Sequence, residues 1–504
     1  MSQQLDQATA FDLPPLRRWQ TECLQQALQT LSPQTPHFLC QATPGAGKMY
    51  FAASLANVLL EQDVIDYVLY LGPTRAVVSS AVASLEEVTD LSMNGQLGAS
   101  GAGFTYHALK NRLNDLMRLG QQARILLIWD ESHHAAGHEG NPAAGNEWGR
   151  ALMALERHVL YTVALSGTPW RSDGSCMPLL RYLEVDDSRH EKKNATSSTP
   201  PEQHELQPDF VYTLRDAIAD GVCRYPQVEL VDNRSITLKG VHLKTGRPET
   251  HRFSHIPGLL RHPAVHYARL VHDDALIDRL LTLGCQRLAA VRQQHPDAAG
   301  LVVAADIQHA EGIAQQLEER GHDVCLVTSR EPNAHAKLQR FREGTKPWIV
   351  SVGMVSEGVD IPRLHVCCYL SHIRTETFFR QVLGRIIRRT HQHDTTCYWY
   401  GLNEPLLRHH ARRLSDDLPE DLARVTADTP SDSQQGTNTS APGMASPDTP
   451  PDNATSSAEG PGTTLDSSDV SLTFSGHSTA STHQTDVAFS RDFFERLVAL
   501  RLTD

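Results

Sequence analysis

The sequence predicts an α/β protein built on two parallel β-sheets in tandem, followed by an acidic tail. Three observations carry this expectation. Short apolar runs such as YVLYLGP, RILLIWDE, VLYTVALSGTP, AGLVVAAD, WIVSVGM and HVCCYLS alternate with amphipathic stretches, and strands alternating with helices imply parallel sheets covered on both faces. At 504 residues the chain exceeds one ordinary core. The runs fall into two groups on either side of residues 220–270, and DFVYTLRDAIADGVCRYPQVELVD begins the passage between them. The tail shows in the charge: between Asp416 and Ser490 there are twelve acidic residues and one basic residue, Arg424, which accounts for all but two of the thirteen net negative charges.

The boundaries that follow are residues 1–225 for the first sheet and its helices, 226–270 for a connecting segment and 271–413 for the second sheet. Residues 414–490 are rich in Ser, Thr, Pro, Gly and Asp; they cannot bury enough apolar surface to offset ordering entropy and are expected to be disordered. Residues 491–504 predict a short C-terminal helix, because Phe493, Leu497 and Leu500 share one helical face beside Phe494. That helix and the acidic tail are candidates for docking a protein partner, and the folded body is expected to stand without Asp416–Asp504. The soft stretch Asp186–Glu205 reads as a surface insertion.

No apolar run reaches the ~18 residues needed to span a bilayer, and the start MSQQLDQATA lacks the basic and apolar regions of a secretory signal. A cytoplasmic location is expected, with no membrane partner. The nine cysteines are scattered without a CxxC pair, so buried reduced thiols are expected rather than disulfides or a zinc ribbon.

The first chemical signal is TPGAGK, Thr43 to Lys48, between strand-like HFLCQA and helix-like MYFAASLANVLL. Glycines let backbone amides point inward at phosphates, the helix N-terminus adds a positive dipole, and Lys48 supplies a full charge. The match to GxxxxGK[ST] is incomplete, because Ala42 takes the first glycine position and Met49 the hydroxyl position. Alone, the stretch reads equally well as a glycine-rich turn. The second signal is ILLIWDESHH, in which a buried strand delivers Asp130 and Glu131 to its carboxyl end. One carboxylate of such a pair can hold a magnesium ion while the other orients and deprotonates an attacking water.

With these residues in view, the chain resembles a superfamily-2 helicase or translocase of the DExH type, like the motor subunits of restriction enzymes and related DNA-repair helicases, over residues 13–410. The resemblance implies two tandem RecA-like domains with an ATP site in the cleft between them, ATP and Mg2+ as substrate and cofactor, and DNA as the partner, with RNA the less favoured alternative. LRRWQ resembles the adenine-reading motif and assigns Gln20, with Arg17 beside it, to the nucleotide, together with Thr43, Pro44, Gly45, Ala46, Gly47, Lys48 and Met49 of the loop. LGPTRAVV (Pro73, Thr74, Arg75) and FTYHAL (Thr105, Tyr106) resemble motifs that track the nucleic-acid backbone. DESHH is similar to motif II, giving Asp130 to the metal, Glu131 to water activation and His133 to coupling. SGTPW resembles motif III, with Ser166 and Thr168 coupling nucleotide state to strand binding.

In the second half, GLVVAADIQHAEGIAQQL resembles motif IV. VSVGMVSEGVDIPRL resembles motif V, bringing Gly358 and Asp360 to the nucleotide and Val355 and Ser356 to the strand. FFRQVLGRIIRR resembles motif VI, the QxxGRxxR signature, with Gln381, Arg385 and Arg388. Phosphoryl transfer spreads negative charge, and an arginine reaching across a cleft stabilises it, worth about 10³–10⁵ in rate. With these arginines on one sheet and Lys48 on the other, the cleft must close to complete the site.

Other features carry less. His133, His134, His138 and Glu139 lack the spacing of a zinc protease site. Trp19, Trp129, Trp148, Trp170 and Trp348 fit core or adenine-pocket packing better than base stacking. Met49 is the informative departure: a thioether is a poor ligand for a hard cation. Losing one oriented polar contact costs about 3 kcal/mol, roughly a hundredfold in rate. The sequence therefore supports an ATP-driven helicase or translocase with reduced turnover, or alternatively a hydrolysis-impaired clamp or scaffold that binds nucleotide and nucleic acid.

Overall fold

The computed structural model describes residues 15–135, 146–168, 176–184, 204–241, 248–328, 330–331, 333–353, 361–391, 393–416 and 486–499. The first sheet is made of β1 (His37–Ala42), β2 (Tyr67–Gly72), β3 (Gly101–Thr105), β4 (Ile125–Asp130), β5 (Tyr161–Ser166) and β8 (Phe210–Tyr212), while β6 (Tyr182–Glu184) and β7 (His204–Leu206) form a separate antiparallel pair. Its order is β3-β2-β4-β5-β1-β8 and every pairing is parallel. All of β5 and five of the six residues of β4 are buried, the unbroken apolar run of a strand covered on both faces. Register places Gln41 beside Ser166 and Leu165 beside Asp130, so the loops after β1, β4 and β5 leave one edge together. Ligands of open α/β sheets bind at that carboxyl edge.

The second sheet joins β9 (Tyr225–Asn233), β12 (Ala299–Ala304), β13 (Val324–Val327), β14 (Trp348–Ser351), β15 (Leu364–Leu370) and β16 (Thr396–Leu402) to a terminal β18 (Phe493–Ala499). Its order is β13-β14-β12-β15-β16-β9-β18, parallel except for the last pairing. A third, antiparallel sheet consists of β11 (Pro248–Phe253), β10 (Ile236–Val241) and β17 (Asp486–Phe489). Two parallel sheets in tandem agree with the predicted fold class.

Two sequence expectations are corrected here. The segment 226–270 is not a plain connector: β9 pairs with β16 along its length, from Tyr225 opposite Thr396 to Val231 opposite Leu402. The first sheet's last strand ends at Tyr212, so the passage between sheets is residues 213–224, with one short helix, Leu214–Ala219, capped by Thr213. The predicted C-terminal helix is instead the strand β18, antiparallel to β9. A seven-residue segment is too short to gain from helix propagation, whereas β9 offers a row of edge donors and acceptors. Side chains fix the pairing: Glu495 binds Arg279, Arg496 Nε lies 3.4 Å from Asp232, and Arg234 and Arg496 each sit 5.2 Å from the Phe494 ring. β17 and β18, from residues 486–499, complete two sheets of the body. The acidic stretch 417–485 and Leu500 lie outside the described residues, as do residues 186–203 of the predicted insertion.

Trp19, Trp129, Trp348 and Trp399 are among the largest fully buried side chains. Trp19 stacks on Tyr212 at 4.8 Å, which ties the first helix, Arg18–Thr30, to the sheet edge beside the phosphate loop. All nine cysteines are free and seven are buried, the arrangement predicted for reduced thiols. Among the described residues, no helix is long and apolar enough to cross a membrane.

Candidate nucleotide site

The loop from Thr43 to Gly47 leaves β1 and enters the helix Lys48–Glu61. Gly47, at the helix start, has φ 93° and Gly45 φ 82°, a left-handed backbone that a side chain strains. The loop is held from outside. Arg17 Nη1 donates to the Ala46 carbonyl at 2.6 Å, Gln20 Nε2 to the Gly47 carbonyl at 2.9 Å, and the Thr43 amide to the Tyr212 carbonyl at 3.0 Å. Lys48 Nζ donates to the Ala42 carbonyl at 3.1 Å, so its charge lies across the mouth of the loop. Met49 is half-buried, with its side chain packed on the core beneath the helix.

Asp130 ends β4 with its carboxylate held on both oxygens: Tyr70 donates its hydroxyl at 3.0 Å and the Glu131 amide donates at 2.9 Å. Burial pushes the Asp130 carboxyl up to about 6, the neighbouring Glu131 adds to the rise, and Lys48 opposes it. A half-buried carboxylate beside a second acid and a lysine is poised to gain from a bound cation. Glu131 itself has φ 52°, a left-handed conformation uncommon for a non-glycine residue and of the kind that strained functional sites hold. His133 Nδ1 lies 3.6 Å from Glu131 Oε2, and its Nε2 meets Gln381 Nε2 at 3.2 Å. The histidine thus links the acidic pair of the first sheet to motif VI of the second. Ser166 Oγ accepts from the Thr168 amide at 3.1 Å, and both residues are buried.

The helix Glu376–Ile386 presents motif VI to the loop. Gly384 faces Pro44, where an added β-carbon would fall 3.1 Å from the proline Cγ and nearer still to its Cβ. Arg388, just past the helix end, packs its side chain over Gly45, and burial lowers its guanidinium to about 10. Arg385 lies half-buried one turn earlier. A cavity of about 160 Å³ opens beside this contact, lined by Thr43, Pro44, Gly167, Tyr212, Arg380 and Arg413 among others. Lys48, Asp130, Glu131, His133, Gln381 and Arg388 therefore come together around one loop.

Other expected residues do not. Tyr106, predicted to track a strand, is 1% exposed, stacks on Trp148 at 5.6 Å and donates its hydroxyl to the Asp130 carbonyl at 2.6 Å. It braces the acidic pair from below, because an aromatic ring opening the helix that follows a sheet strand is drawn into the core. Thr74 and Thr105 use their hydroxyls to cap helices, accepting from Val77 and Ala108 amides, both at 3.3 Å. Pro73 is half-buried next to Thr74, and Arg75 is exposed. Val355, Ser356, Gly358 and Asp360 of motif V lie outside the described residues, as do Trp170, His138 and Glu139.

Sequence reasoning missed Tyr70, Cys223 and Arg224. Tyr70 gives no signal because a tyrosine in a strand run reads as core. Cys223 forms an antiparallel bridge with Arg388 and places its thiol 4.0 Å from the Pro44 carbonyl. Arg224 is a fully buried arginine, and a lone arginine at the start of a strand run does not announce burial.

Comparison with known proteins agrees with the two-sheet architecture. The family model of the type III restriction enzyme res subunit matches residues 13–171, and that of the helicase conserved C-terminal domain matches residues 278–390. An uncharacterised protein of Mycobacterium leprae is 30% identical over 407 residues, covering 78% of this chain and 63% of its own. One of Mycobacterium tuberculosis is 30% identical over 392 residues, covering 76% and 60%. The chain thus spans about three-fifths of the length of these curated relatives. A fragment of a putative HsdR subunit of a type I restriction enzyme from Vibrio vulnificus shares the fold at TM-score 0.54 and 16% identity, over 83% of this chain and 70% of that one. With both domain families matched in order, one on each parallel sheet, the chain belongs to the superfamily-2 helicases related to restriction-enzyme motor subunits.

Proposed function

We propose that the protein hydrolyses ATP to drive movement along DNA, coupling turnover to opening and closing of the cleft between its two sheets. The observation that carries this reading is the meeting of Arg388 and Gln381 from the second sheet with the loop of Gly45 and the His133–Glu131 pair of the first. In this reading Lys48 leaves the Ala42 carbonyl to meet the outer phosphates, and the amides after Gly45 hold them. Glu131 orients the attacking water and accepts its proton, and Arg388, with Arg385 beside it, stabilises the charge spreading over the transferred group. Gln20 and Arg17 hold the loop against the first helix at the adenine side. Arg75 contributes an exposed cation to the strand path.

The donor set fits a divalent cation through Asp130, whose carboxylate is half-buried and carries a raised pKa. When bound, Mg2+ supplies neutralisation of phosphate charge. DNA is favoured over RNA by the match to a restriction-enzyme res subunit. Turnover of ATP with duplex DNA, single-stranded DNA and RNA, for wild type and Glu131→Gln, tests the reading. DNA-stimulated turnover in wild type that is lost in the variant is the expected result; no stimulation above the variant overturns it. Met49 favours a second reading, a nucleotide-dependent clamp with little hydrolysis, which would bind DNA in a nucleotide-dependent way in that same assay without turnover.

A further inference from the structure

We propose that Arg224, Asp394 and His365 form a buried positioning cluster that pins the chain on both sides of Arg388 and so holds that arginine against the phosphate loop. Arg224 is 0% exposed and all five of its guanidinium hydrogens are placed. Nε and Nη2 donate to the two Asp394 oxygens at 2.6 Å each, Nη1 to the carbonyls of Leu364 at 2.6 Å and Ile386 at 2.8 Å, and Nη2 to that of Pro362 at 2.9 Å. The Arg224 amide donates to the Ile387 carbonyl at 2.6 Å. The two carbonyls just before Arg388 are thereby fixed by one residue. Two residues after Arg388, the Thr390 amide and hydroxyl donate to Asp394 Oδ2 at 3.1 and 2.9 Å. His365 Nε2 meets the other Asp394 oxygen at 2.9 Å, while its Nδ1 faces the Arg363 carbonyl at 2.9 Å.

The cluster sits where the passage between the sheets enters β9, since Arg224 directly precedes Tyr225 and directly follows Cys223, which bridges Arg388. One buried fork therefore joins three things: the interdomain passage, the end of motif VI and the chain that leaves the motif V region at Pro362. A lysine has the charge but not the fork, and cannot reach two carboxylate oxygens and three carbonyls in one plane. His295 stacks on His365 at 5.4 Å, so two imidazoles and a carboxylate converge. The carboxylate already accepts five donors, and a metal would have to displace the guanidinium; the group is a clamp rather than an ion site.

The proposal rests on the ATPase reading for what Arg388 does, though not for where it sits, and its test separates the two. Cys223 is 2% exposed, and burial raises its thiol to about 12; it reports whether the Arg388 segment stays closed on Pro44. Cys367 and Cys368, fully buried in β15, report global unfolding. Wild type, Asp394→Asn, Arg224→Lys and a peripheral control, Arg279→Ala, are treated with iodoacetamide, and each cysteine's modification rate is read by peptide mass spectrometry. We expect Cys223 to react at least about tenfold faster in the two cluster variants, with Cys367 and Cys368 still protected, and no change at Cys223 in the control. In ATP turnover the same variants should lose about ten- to a hundredfold in kcat with KM within about threefold, the signature of a displaced transition-state group. Unchanged Cys223 rates overturn the proposal, as does a parallel rise at all three cysteines, which would make the cluster a stability element only. If wild type shows no DNA-stimulated turnover, the function reading falls while the Cys223 rates still decide the positioning role.

Discussion

Replacing Gly384 with alanine should separate nucleotide binding from turnover. The added carbon would lie 3.1 Å from Pro44 Cγ and closer to Cβ, whereas carbon atoms settle at about 3.5–4.0 Å. The motif VI helix and the phosphate loop must therefore part by about 1 Å. Pro44 is also packed against Gly167, where a β-carbon would fall only 2.8 Å from the proline Cδ, so it has little room to give. The helix moves instead, and Arg388 with it. A misplacement of about 1 Å in a positioning group costs on the order of a hundredfold, or about 2.7 kcal/mol in the barrier. Lys48 and the loop amides lie on the unmoved side, so affinity for a fluorescent ATP analogue should stay within about threefold. The measurements are DNA-stimulated kcat, analogue binding and a thermal melt. Full kcat in a folded Gly384→Ala protein would refute the closed contact as the reacting geometry, and so would a loss of binding equal to the loss of turnover.

Three further predictions follow from other contacts. Met49→Thr restores a hydroxyl at the loop and should raise kcat at least about tenfold; an unchanged rate would show that the cation is held adequately without it. Asp130 carries a pKa raised to about 6 from 3.8, so the folded form binds its proton more tightly and the group's penalty grows as pH rises between those values. In the absence of nucleotide, Asp130→Asn should then be more stable than wild type, by up to ~3 kcal/mol at neutral pH, and its advantage should shrink by on the order of 1 kcal/mol on going from pH 7.5 to pH 5; a pH-independent difference in denaturant midpoints would contradict the assigned burial. A protease site placed within residues 430–470 should give a nicked chain whose C-terminal piece co-purifies through β17 and β18, whereas deleting 486–499 should lower the melting temperature; release of the cut piece under native conditions would show that those strands do not hold.

The parts of this site that were legible in the sequence are those where local chemistry and local backbone coincide. TPGAGK needs glycines for its left-handed turns, and a strand ending in Asp-Glu carries its own periodicity, so both could be placed on the right edge of the right sheet. Tyr106 was misjudged because motif position says which loop a residue occupies and not which way its ring turns; a neighbour forty-two positions on, Trp148, decides that. The terminal strand was misjudged for the same reason at larger scale. FFERLVA supports either period over seven residues, and the edge of β9, more than 250 residues earlier, makes the choice. Arg224 was invisible because its value lies in five partners spread from Pro362 to Asp394.

The phosphate loop is therefore not merely a cradle carried on β1. Its amide at Thr43 is bound by β8, its Ala46 carbonyl by Arg17 at the N-cap of the first helix, its Gly47 carbonyl by Gln20 within that helix, and Pro44 packs against Gly167 of motif III and Gly384 of motif VI. A loop gripped from three directions cannot change shape without moving what grips it. Lys48 must leave the Ala42 carbonyl to reach a phosphate, and that carbonyl belongs to the last residue before the gripped segment. In the proposed ATPase cycle, filling the loop would act first on Pro44, and through Pro44 on Gly384 and the segment that Arg224 fixes. The same few contacts that would read the nucleotide are the ones joining the two sheets, which is the physical requirement for turning phosphate chemistry into domain movement.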